Sequence, residues 1–207
     1  MNNSFGSDTQ NLSNHTTPSL QGRAGEGLPT GVTLYTMIIY SENFAGILNQ
    51  ITAVFTRRQV NIESLNVCAS STPGVHKYTI TCYCTEEMAI MLTKQIEKKI
   101  DVLQAHYFTD EDIFTMEACL LKLSTQGIME NPVVGHIVRQ HGARIVEVNP
   151  TYSIVEMKGN TDDILSLFQK LDGLKVVLQF VRSGRIAVTK LRVELLDKYL
   201  AEREREQ

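Results

Sequence analysis

The chain has 207 residues, of which 43% are hydrophobic and 21% charged, and its formal net charge is -3. This length suits one large domain or two small ones, and the composition is that of a globular protein with a buried core. The slightly acidic balance argues against a nucleic-acid-binding protein, which usually carries a basic face. No run approaches the roughly 20 apolar residues that cross a bilayer, and the N-terminus lacks a signal-peptide pattern. We therefore expect a cytoplasmic protein that does not associate with membranes.

Residues 1–32 are rich in Asn, Ser, Thr and Gly and have almost no apolar periodicity. Such a segment cannot bury enough surface to offset the entropy lost on ordering. The composition therefore predicts a flexible N-terminal tail. A docking peptide within this tail is the alternative interpretation.

The four cysteines do not form a metal-binding pattern. Cys82 and Cys84 stand two residues apart, which places both on one face of a strand, while Cys68 and Cys119 lie in other apolar runs. No second Cys or His pair stands at the spacing of a zinc site. We expect reduced, buried cysteines and no metal.

Residues 33–108 predict a first domain that begins with a strand and a helix. Residues 33–40 are largely β-branched and aromatic, as a strand requires. An apolar stripe at helical spacing follows. This stripe consists of Ile47, Leu48, Ile51, Val54 and Phe55.

A hairpin, a second helix and a fourth strand complete this domain. The runs 60–68 and 75–84 are typical of strands, and Pro73 and Gly74 mark the turn between them. Thr85 is expected to cap the second helix, and residues 102–107 to form the last strand. The buried side of this helix is expected to comprise Met88, Met91, Leu92 and Ile96.

Residues 109–186 repeat the same order of elements. Strands are predicted at 118–123, 143–148, 153–157 and 174–181. One helix is expected to begin after the Asn131-Pro132 cap and the other at Thr161. Their buried stripes are expected to comprise Val133, Val134, Ile137 and Val138 in the first helix, and Ile164, Leu165, Phe168 and Leu171 in the second.

The order strand, helix, strand, strand, helix, strand defines the split βαββαβ unit, in which two helices cover one face of a four-stranded antiparallel sheet. The sequence therefore predicts an α+β protein with two tandem ferredoxin-like βαββαβ domains. Residues 187–207 add a narrow apolar stripe beside many charges, which predicts a C-terminal helix. The stripe consists of Leu191, Leu195, Leu196, Tyr199 and Leu200. This helix is interpreted either as packed on its own domain or as binding a partner.

The sequence contains no specific catalytic pattern. A phosphate-binding glycine loop, an HExxH motif and a GxSxG elbow are all missing from it. The best candidate for a site is the turn 42–46, because Gly46 lets a ligand approach the backbone and the free amides at a helix start attract a carboxylate. Asn43 adds a group that both donates and accepts hydrogen bonds. A simple helix cap would use the same residues.

Three segments of the first domain resemble one known family. They are 40–48, 55–58 and the run Asn61-Ile62-Glu63-Ser64-Leu65, and they are similar to the small regulatory subunit of acetolactate synthase, whose first domain is an ACT domain. The resemblance extends from about Tyr35 to Val188 and includes Val181-Arg182-Ser183-Gly184-Arg185. The second domain is then the ACT-like C-terminal domain of that family.

The resemblance implies a non-catalytic regulatory subunit that acts in valine, isoleucine and leucine biosynthesis. Such subunits bind a large catalytic subunit, raise its activity and confer feedback inhibition by branched-chain amino acids. The holoenzyme condenses pyruvate with pyruvate or 2-oxobutanoate. Thiamine diphosphate, Mg and FAD are expected in the catalytic subunit and no cofactor in this chain.

The resemblance also implies a homodimer with joined ACT-domain sheets and the effector at the interface between protomers. The amides of Gly46 and Ile47 would then bind the effector carboxylate. Asn43 and Asn61 would bind its polar groups, and Ile62 would contact its aliphatic side chain.

Several positions depart from the family pattern. Phe44-Ala45 stands where a polar residue followed by Pro or Ser is common, Gln59 replaces a helix-ending Gly, and His76-Lys77 replaces a Ser-Arg pair. These changes bear on effector affinity and preference. Two alternatives stay open: an ACT-domain amino-acid sensor that regulates another enzyme or transcription, and a stand-alone enzyme on the same scaffold.

Overall fold

The computed structural model describes residues 29–193 and 195–206. Of the predicted N-terminal tail, residues 1–28 lie outside the described residues. Residues 29–32 form a turn in which the Val32 amide donates to the Pro29 carbonyl over 3.0 Å. None of the described helices is long and apolar enough to cross a membrane.

The first unit contains four strands and two helices in the predicted order. They are β1 (Thr33–Glu42), α1 (Ile47–Arg57), β2 (Ser64–Ala69), β3 (Val75–Cys84), α2 (Glu86–Glu97) and β4 (Val102–Phe108). The strands form an antiparallel sheet in the order β2-β3-β1-β4. Both helices pack on one face of this sheet, where the first core includes Met37, Ile39, Ile51, Ile80 and Leu92.

Helix stripes in this unit are narrower than the sequence predicts. Leu48 of α1 and Met91 of α2 are 40% and 37% exposed, so the prediction that they are buried is wrong. Both residues lie at the edge of a stripe, and helix–sheet packing covers only the centre. Ala89 and Thr93 are buried on α2 instead.

Helix α1 ends in a hydrogen-bond pattern that displaces the start of β2. The Gln59 amide donates to the Thr56 carbonyl and the Val60 amide to the Phe55 carbonyl, each over 3.1 Å. This is a Schellman motif, whose residue after the cap adopts the left-handed conformation. Gln59 has φ 54°. The strand predicted from residue 60 therefore begins only at Ser64.

The second unit repeats the architecture with three additions, a short helix, a short strand and a C-terminal helix. Its elements are β5 (Ile113–Ser124), α3 (Thr125–Glu130), α4 (Pro132–Gln140), β6 (Arg144–Val148), β7 (Tyr152–Gly159), α5 (Thr161–Asp172), β8 (Val177–Arg182), β9 (Ile186–Thr189) and α6 (Leu195–Glu206). The sheet order β6-β7-β5-β8 matches that of the first unit, which confirms the tandem fold. The short helix α3 and the strand β9 were not predicted.

Two helix starts test the predicted caps. The Asn131 side chain accepts a hydrogen bond from the Val133 amide, with Pro132 in the first turn of α4, as predicted. Helix α5 begins at Thr161, as predicted, and Asn160 caps it, because the Asn160 side chain accepts from the Asp163 amide over 2.8 Å. The Thr161 hydroxyl donates to Glu117.

Apolar stripes in the second unit also differ at their edges. Val133 is 51% exposed, and Leu165 is only half-buried. Leu167 is fully buried on α5 although it was not predicted. Phe168 packs against this core and stacks on Phe180, with ring centroids 4.4 Å apart.

The C-terminal segment joins the two units. Residues 186–189 pair as β9 with the first part of β5, so the helix predicted over 187–207 starts only at Leu195. Leu196 of α6 is fully buried against Ile38 and Tyr40, on the face of the first sheet opposite its helices. Helix α6 thus packs on the first unit, and Leu191 is 60% exposed.

All four cysteines are free thiols. Cys82, Cys84 and Cys119 are buried as predicted, and the Cys82 and Cys84 sulfurs lie 3.9 Å apart on one strand. Cys68 is exposed on β2, so its predicted burial is wrong. The neighbouring Cys84 sulfur and burial raise the pKa of the Cys82 thiol, which disfavours a nucleophilic thiolate.

Candidate functional site

The loop between β1 and α1 has an open backbone at the start of a helix. Gly46 precedes α1 with φ 91° and ψ -9°, and within the described part of the chain no side chain caps this helix. A Cβ added at Gly46 would meet no atom within 4 Å. The strain of a side chain there would therefore come from the backbone conformation, and the loop is accessible to a ligand.

The predicted residues of this loop differ in exposure. Asn43 and Gly46 are exposed, whereas Ile47 is buried in the first core. The Ile47 amide lies 3.4 Å from the Phe44 carbonyl, a long hydrogen bond. The Asn43 amide donates to the Gly74 carbonyl over 2.9 Å, which ties the loop to the β2–β3 turn. The exposed amide side chain of Asn43 does not cap α1.

Asn61 and Ile62 lie between the end of α1 and the start of β2. Asn61 is exposed and borders a surface cleft of about 350 Å³, together with Arg58, Glu63 and Tyr83. Ile62 is half-buried and packs against the first core. The two residues therefore present a polar group to solvent and an apolar group below it.

Sheet register places these two parts of the predicted site far apart in one chain. Glu42, at the end of β1, pairs with Val75, whereas Ser64, at the start of β2, pairs with Thr81 of the same strand β3. Six residues of extended strand span about 20 Å. The structure thus brings Asn43, Gly46 and Ile47 together, and Asn61 and Ile62 together, but it does not bring the two groups together within one protomer.

Strand β2 forms an outer edge of the first sheet. Its last residues Val67, Cys68 and Ala69 are exposed. Within the described residues β2 pairs with β3 alone, so its outer backbone groups are available to another strand.

A charged cluster in the second unit was not predicted from the sequence. Glu117 of β5 is 4% exposed, and its carboxylate lies 3.2 Å from an Arg182 nitrogen and 3.7 Å from Arg185. Thr161 donates to the same carboxylate over 2.5 Å. Arg182 and Arg185 belong to the motif that carries the family resemblance, but Glu117, which directly precedes the predicted strand 118–123, gave no signal of its partners.

The departures from the family pattern have structural roles. Gln59 occupies the left-handed position at the end of α1. The Lys77 ammonium donates to the Ala187 carbonyl over 2.9 Å and lies 5.7 Å from the Tyr40 ring centroid. Lys77 thus links the first unit to β9. Phe44 is 57% exposed beside Gly46.

The described residues contain no group of three or more His, Cys, Asp and Glu side chains that could hold a metal ion. Apolar side chains near the two parts of the predicted site include Phe44, Ile47 and Ile62. What the arrangement offers is hydrogen bonding from backbone amides and Asn side chains, with apolar surface beside them. These groups suit recognition of a small polar molecule with an aliphatic part.

Comparisons with known proteins assign both units of the chain to one family. The family model for the AHAS small subunit-like ACT domain matches residues 37–104, and that for the small subunit of acetolactate synthase matches residues 116–191. The acetolactate synthase small subunit of Bacillus subtilis is 32% identical over 148 residues, which cover 70% of this chain and 84% of that protein. The small subunit of Mycobacterium leprae is 28% identical over 164 residues, covering 79% and 94%.

A solved structure supports the fold independently. The crystal structure of the acetolactate synthase small subunit from Thermotoga maritima matches with a TM-score of 0.70 and 21% identity, over 78% of this chain and 99% of that one. The two family models fall on the two tandem units, and the sequence matches cover most of each relative. The chain therefore belongs to the acetolactate synthase small-subunit family.

Proposed function

We propose that this chain is the non-catalytic regulatory subunit of an acetolactate synthase in branched-chain amino acid biosynthesis. It binds the large catalytic subunit, raises its activity and makes it sensitive to a branched-chain amino acid. Family membership and the two matching units support the partner. Thiamine diphosphate, Mg and FAD belong to the catalytic subunit in this proposal.

The observation that carries the regulatory proposal is the separation of the two parts of the predicted site. Antiparallel pairing of two β2 edges around a twofold axis sets the start of one β2 beside the end of the other. Because β1 and β2 run in the same direction, Asn61 and Ile62 of one protomer then approach the loop at Asn43 and Gly46 of its partner. A complete site forms only in the homodimer.

In this homodimer the ligand groups have distinct roles. Backbone amides at Gly46 and Ile47 bind the effector carboxylate at the start of α1, where the helix dipole also favours an anion. Asn43 and Asn61 bind the polar groups, and Ile62 contacts the aliphatic side chain. Inhibition follows if the effector binds the inhibited state of the holoenzyme more tightly than the active state.

Reconstitution with a catalytic subunit tests this proposal. The chain is mixed with the large subunit, and acetolactate formation from pyruvate is measured with and without valine, leucine or isoleucine. We expect activation by the wild-type chain and inhibition by at least one of these amino acids. If the chain neither activated the large subunit nor co-purified with it, the proposal would be contradicted. A sensor for another system would then be favoured.

Site variants then test the residue assignments. Asn43→Ala and Asn61→Ala should each weaken inhibition at unchanged thermal stability, because both side chains are exposed. Asn49→Ala is the matched control, since Asn49 is also exposed but lies within α1. Gly46→Asp is a poorer test because φ 91° adds backbone strain to any loss of binding. Unchanged inhibition in both Asn variants would refute the assignments.

A further inference from the structure

A turn of the second unit contacts the start of β2 in the first unit. Strand β8 ends at Arg182, and the turn continues through Ser183, Gly184 and Arg185. The Ser183 amide donates to the Ala118 carbonyl over 2.9 Å, and the Ala118 amide donates to the Ser183 hydroxyl over 3.0 Å. These two bonds attach the turn to β5.

Charged side chains also attach this turn to the rest of the second unit. The buried Glu117 carboxylate accepts from Arg182 over 3.2 Å. The Arg185 guanidinium donates to the Thr161 hydroxyl over 3.0 Å and to Asp110 over 2.9 Å. The side chain of Arg185 is only 12% exposed and that of Glu117 only 3%, so neighbouring atoms restrain both side chains. The turn is therefore a rigid part of the second unit.

Gly184 brings this turn against Ser64. A Cβ added at Gly184 would lie 3.1 Å from the Ser64 Cβ and 3.6 Å from its hydroxyl oxygen. The distance of 3.1 Å between the two carbons is shorter than ordinary packing between aliphatic carbons. Gly184 also has φ 76°. The approach of the two units at this point thus depends on the missing side chain.

Ser64 is connected in turn to the predicted effector residues. The Ser64 and Thr81 hydroxyl oxygens lie 2.7 Å apart, and the Glu63 amide donates to the Thr81 carbonyl over 2.8 Å. Ile62 and Asn61 directly precede these anchored residues. The start of β2 is therefore in contact with both β3 and the Gly184 turn.

The Gly184–Ser64 contact lies beside open space between the two units. A cleft of about 330 Å³ borders it, lined by residues of both units that include Leu65, Phe180 and Arg182. A small displacement at the start of β2 would be passed to the turn at the Gly184–Ser64 contact.

We infer that Gly184 is a positioning residue for effector binding, through which the second unit sets the position of Asn61 and Ile62. This inference rests on the proposed function of the β2 start as an effector site. Effector contacts at Asn61 and Ile62 hold the start of β2 in one position, and the Gly184–Ser64 contact transmits that position to β8 and the Glu117 cluster. By linkage, a change at this contact alters effector affinity in return.

Calorimetric titration of the full-length chain with L-valine, L-leucine and L-isoleucine tests this inference. The variants are Gly184→Ala, Ser64→Gly and the double variant. Gly142→Ala is the matched control, because Gly142 also has a positive φ, 65°, and a Cβ there meets nothing within 4 Å. Thermal unfolding of each variant measures the loss of stability separately from the loss of affinity.

Gly184→Ala should weaken binding of the amino acid that the wild type binds by at least about fivefold, the lower end of typical coupling between sites. Gly142→Ala should change it by less than about twofold while lowering the unfolding temperature comparably. Adding Ser64→Gly should restore most of the affinity lost in Gly184→Ala. The affinity of the double variant is compared with that of Ser64→Gly alone. This recovery would distinguish the contact from backbone strain, which Ser64→Gly leaves in place.

Two results would overturn the inference. One is a Gly184→Ala variant that binds the amino acid with wild-type affinity. The other is a double variant whose affinity falls, relative to Ser64→Gly, by the same factor as that of Gly184→Ala relative to the wild type. A wild-type chain that binds none of the three amino acids would instead refute the effector site of the proposed function. The failures of the two ideas are therefore distinguishable.

Discussion

Gln59→Gly should stabilise the protein, because Gln59 adopts a left-handed conformation at φ 54° without the freedom of glycine. A non-glycine residue in this conformation costs roughly 1–2 kcal/mol. Relief of this cost is partly offset by the larger entropy of glycine in the unfolded chain, which favours unfolding by about 0.5–1 kcal/mol. The Gln59 side chain is exposed. The expected net gain is about 0.5–1 kcal/mol in the free energy of unfolding.

The second unit contains the matching control. Helix α4 ends in the same Schellman pattern, with the Gly142 amide donating to Arg139 and the Ala143 amide to Val138, but it has glycine at the left-handed position. Gly142→Ala should therefore lower stability by about 1 kcal/mol where Gln59→Gly raises it.

Urea unfolding and calorimetric melting measure both changes. For a chain of this size, a gain of 1 kcal/mol raises the melting temperature by about 2–4 °C. An unchanged m-value would show that the denatured state is unaffected. A decrease of stability in Gln59→Gly, together with the expected decrease in Gly142→Ala, would refute the argument that strain at Gln59 is relieved by glycine.

Three other changes test the packing and charges of the fold. Leu196→Ala, at a fully buried side chain, should lower the free energy of unfolding in urea by about 2–5 kcal/mol. Leu191→Ala should lower it by less than about 0.5 kcal/mol. Equal losses would contradict the packing of α6 on the first sheet. Burial lowers the pKa of His106 below the ordinary value of histidine, so the unfolded chain binds protons more readily and the free energy of unfolding should fall as the pH drops below about 6.5. His106→Gln should lose this part of the pH dependence in melts between about pH 8 and pH 5, and an identical pH profile would refute the assignment. Glu117→Gln should lower the free energy of unfolding by about 1–3 kcal/mol. Glu156→Gln, at a solvent-exposed ion pair, should change it by less than about 1 kcal/mol. A Glu117 variant as stable as the wild type would show that the hydrogen bonds of Glu117 contribute nothing to stability.

Local patterns in the sequence were sufficient where side-chain chemistry acts on neighbouring backbone. Asn131 and Pro132 predict the start of α4 because an amide cap and a first-turn proline act within one helical turn. The run 75–84 coincides with β3 because its residues favour strands on both faces. Thr161 likewise marks the start of α5, as predicted, whereas its hydrogen bond to Glu117 is a tertiary contact that no local pattern specifies.

Short and marginal elements were beyond prediction. Strand β9 has four residues, and pairing with β5 rather than its own propensity stabilises it. Met91 and Leu48 fit a helical stripe by spacing, but the neighbouring sheet covers only part of each stripe. Exposure at Cys68 likewise follows from the edge position of β2, which depends on strand order.

The sequence by itself determined the tandem βαββαβ order and the family resemblance, because both depend on residue types and spacings along the chain. The tertiary structure decided how the parts meet. The end of β1 and the start of β2 pair with opposite parts of β3, which separates Asn43 from Asn61 in one protomer, although both belong to one predicted site. Packing also brings Gly184 to Ser64 and Leu196 to the first sheet. Such contacts join residues far apart in sequence, and no local pattern specifies them.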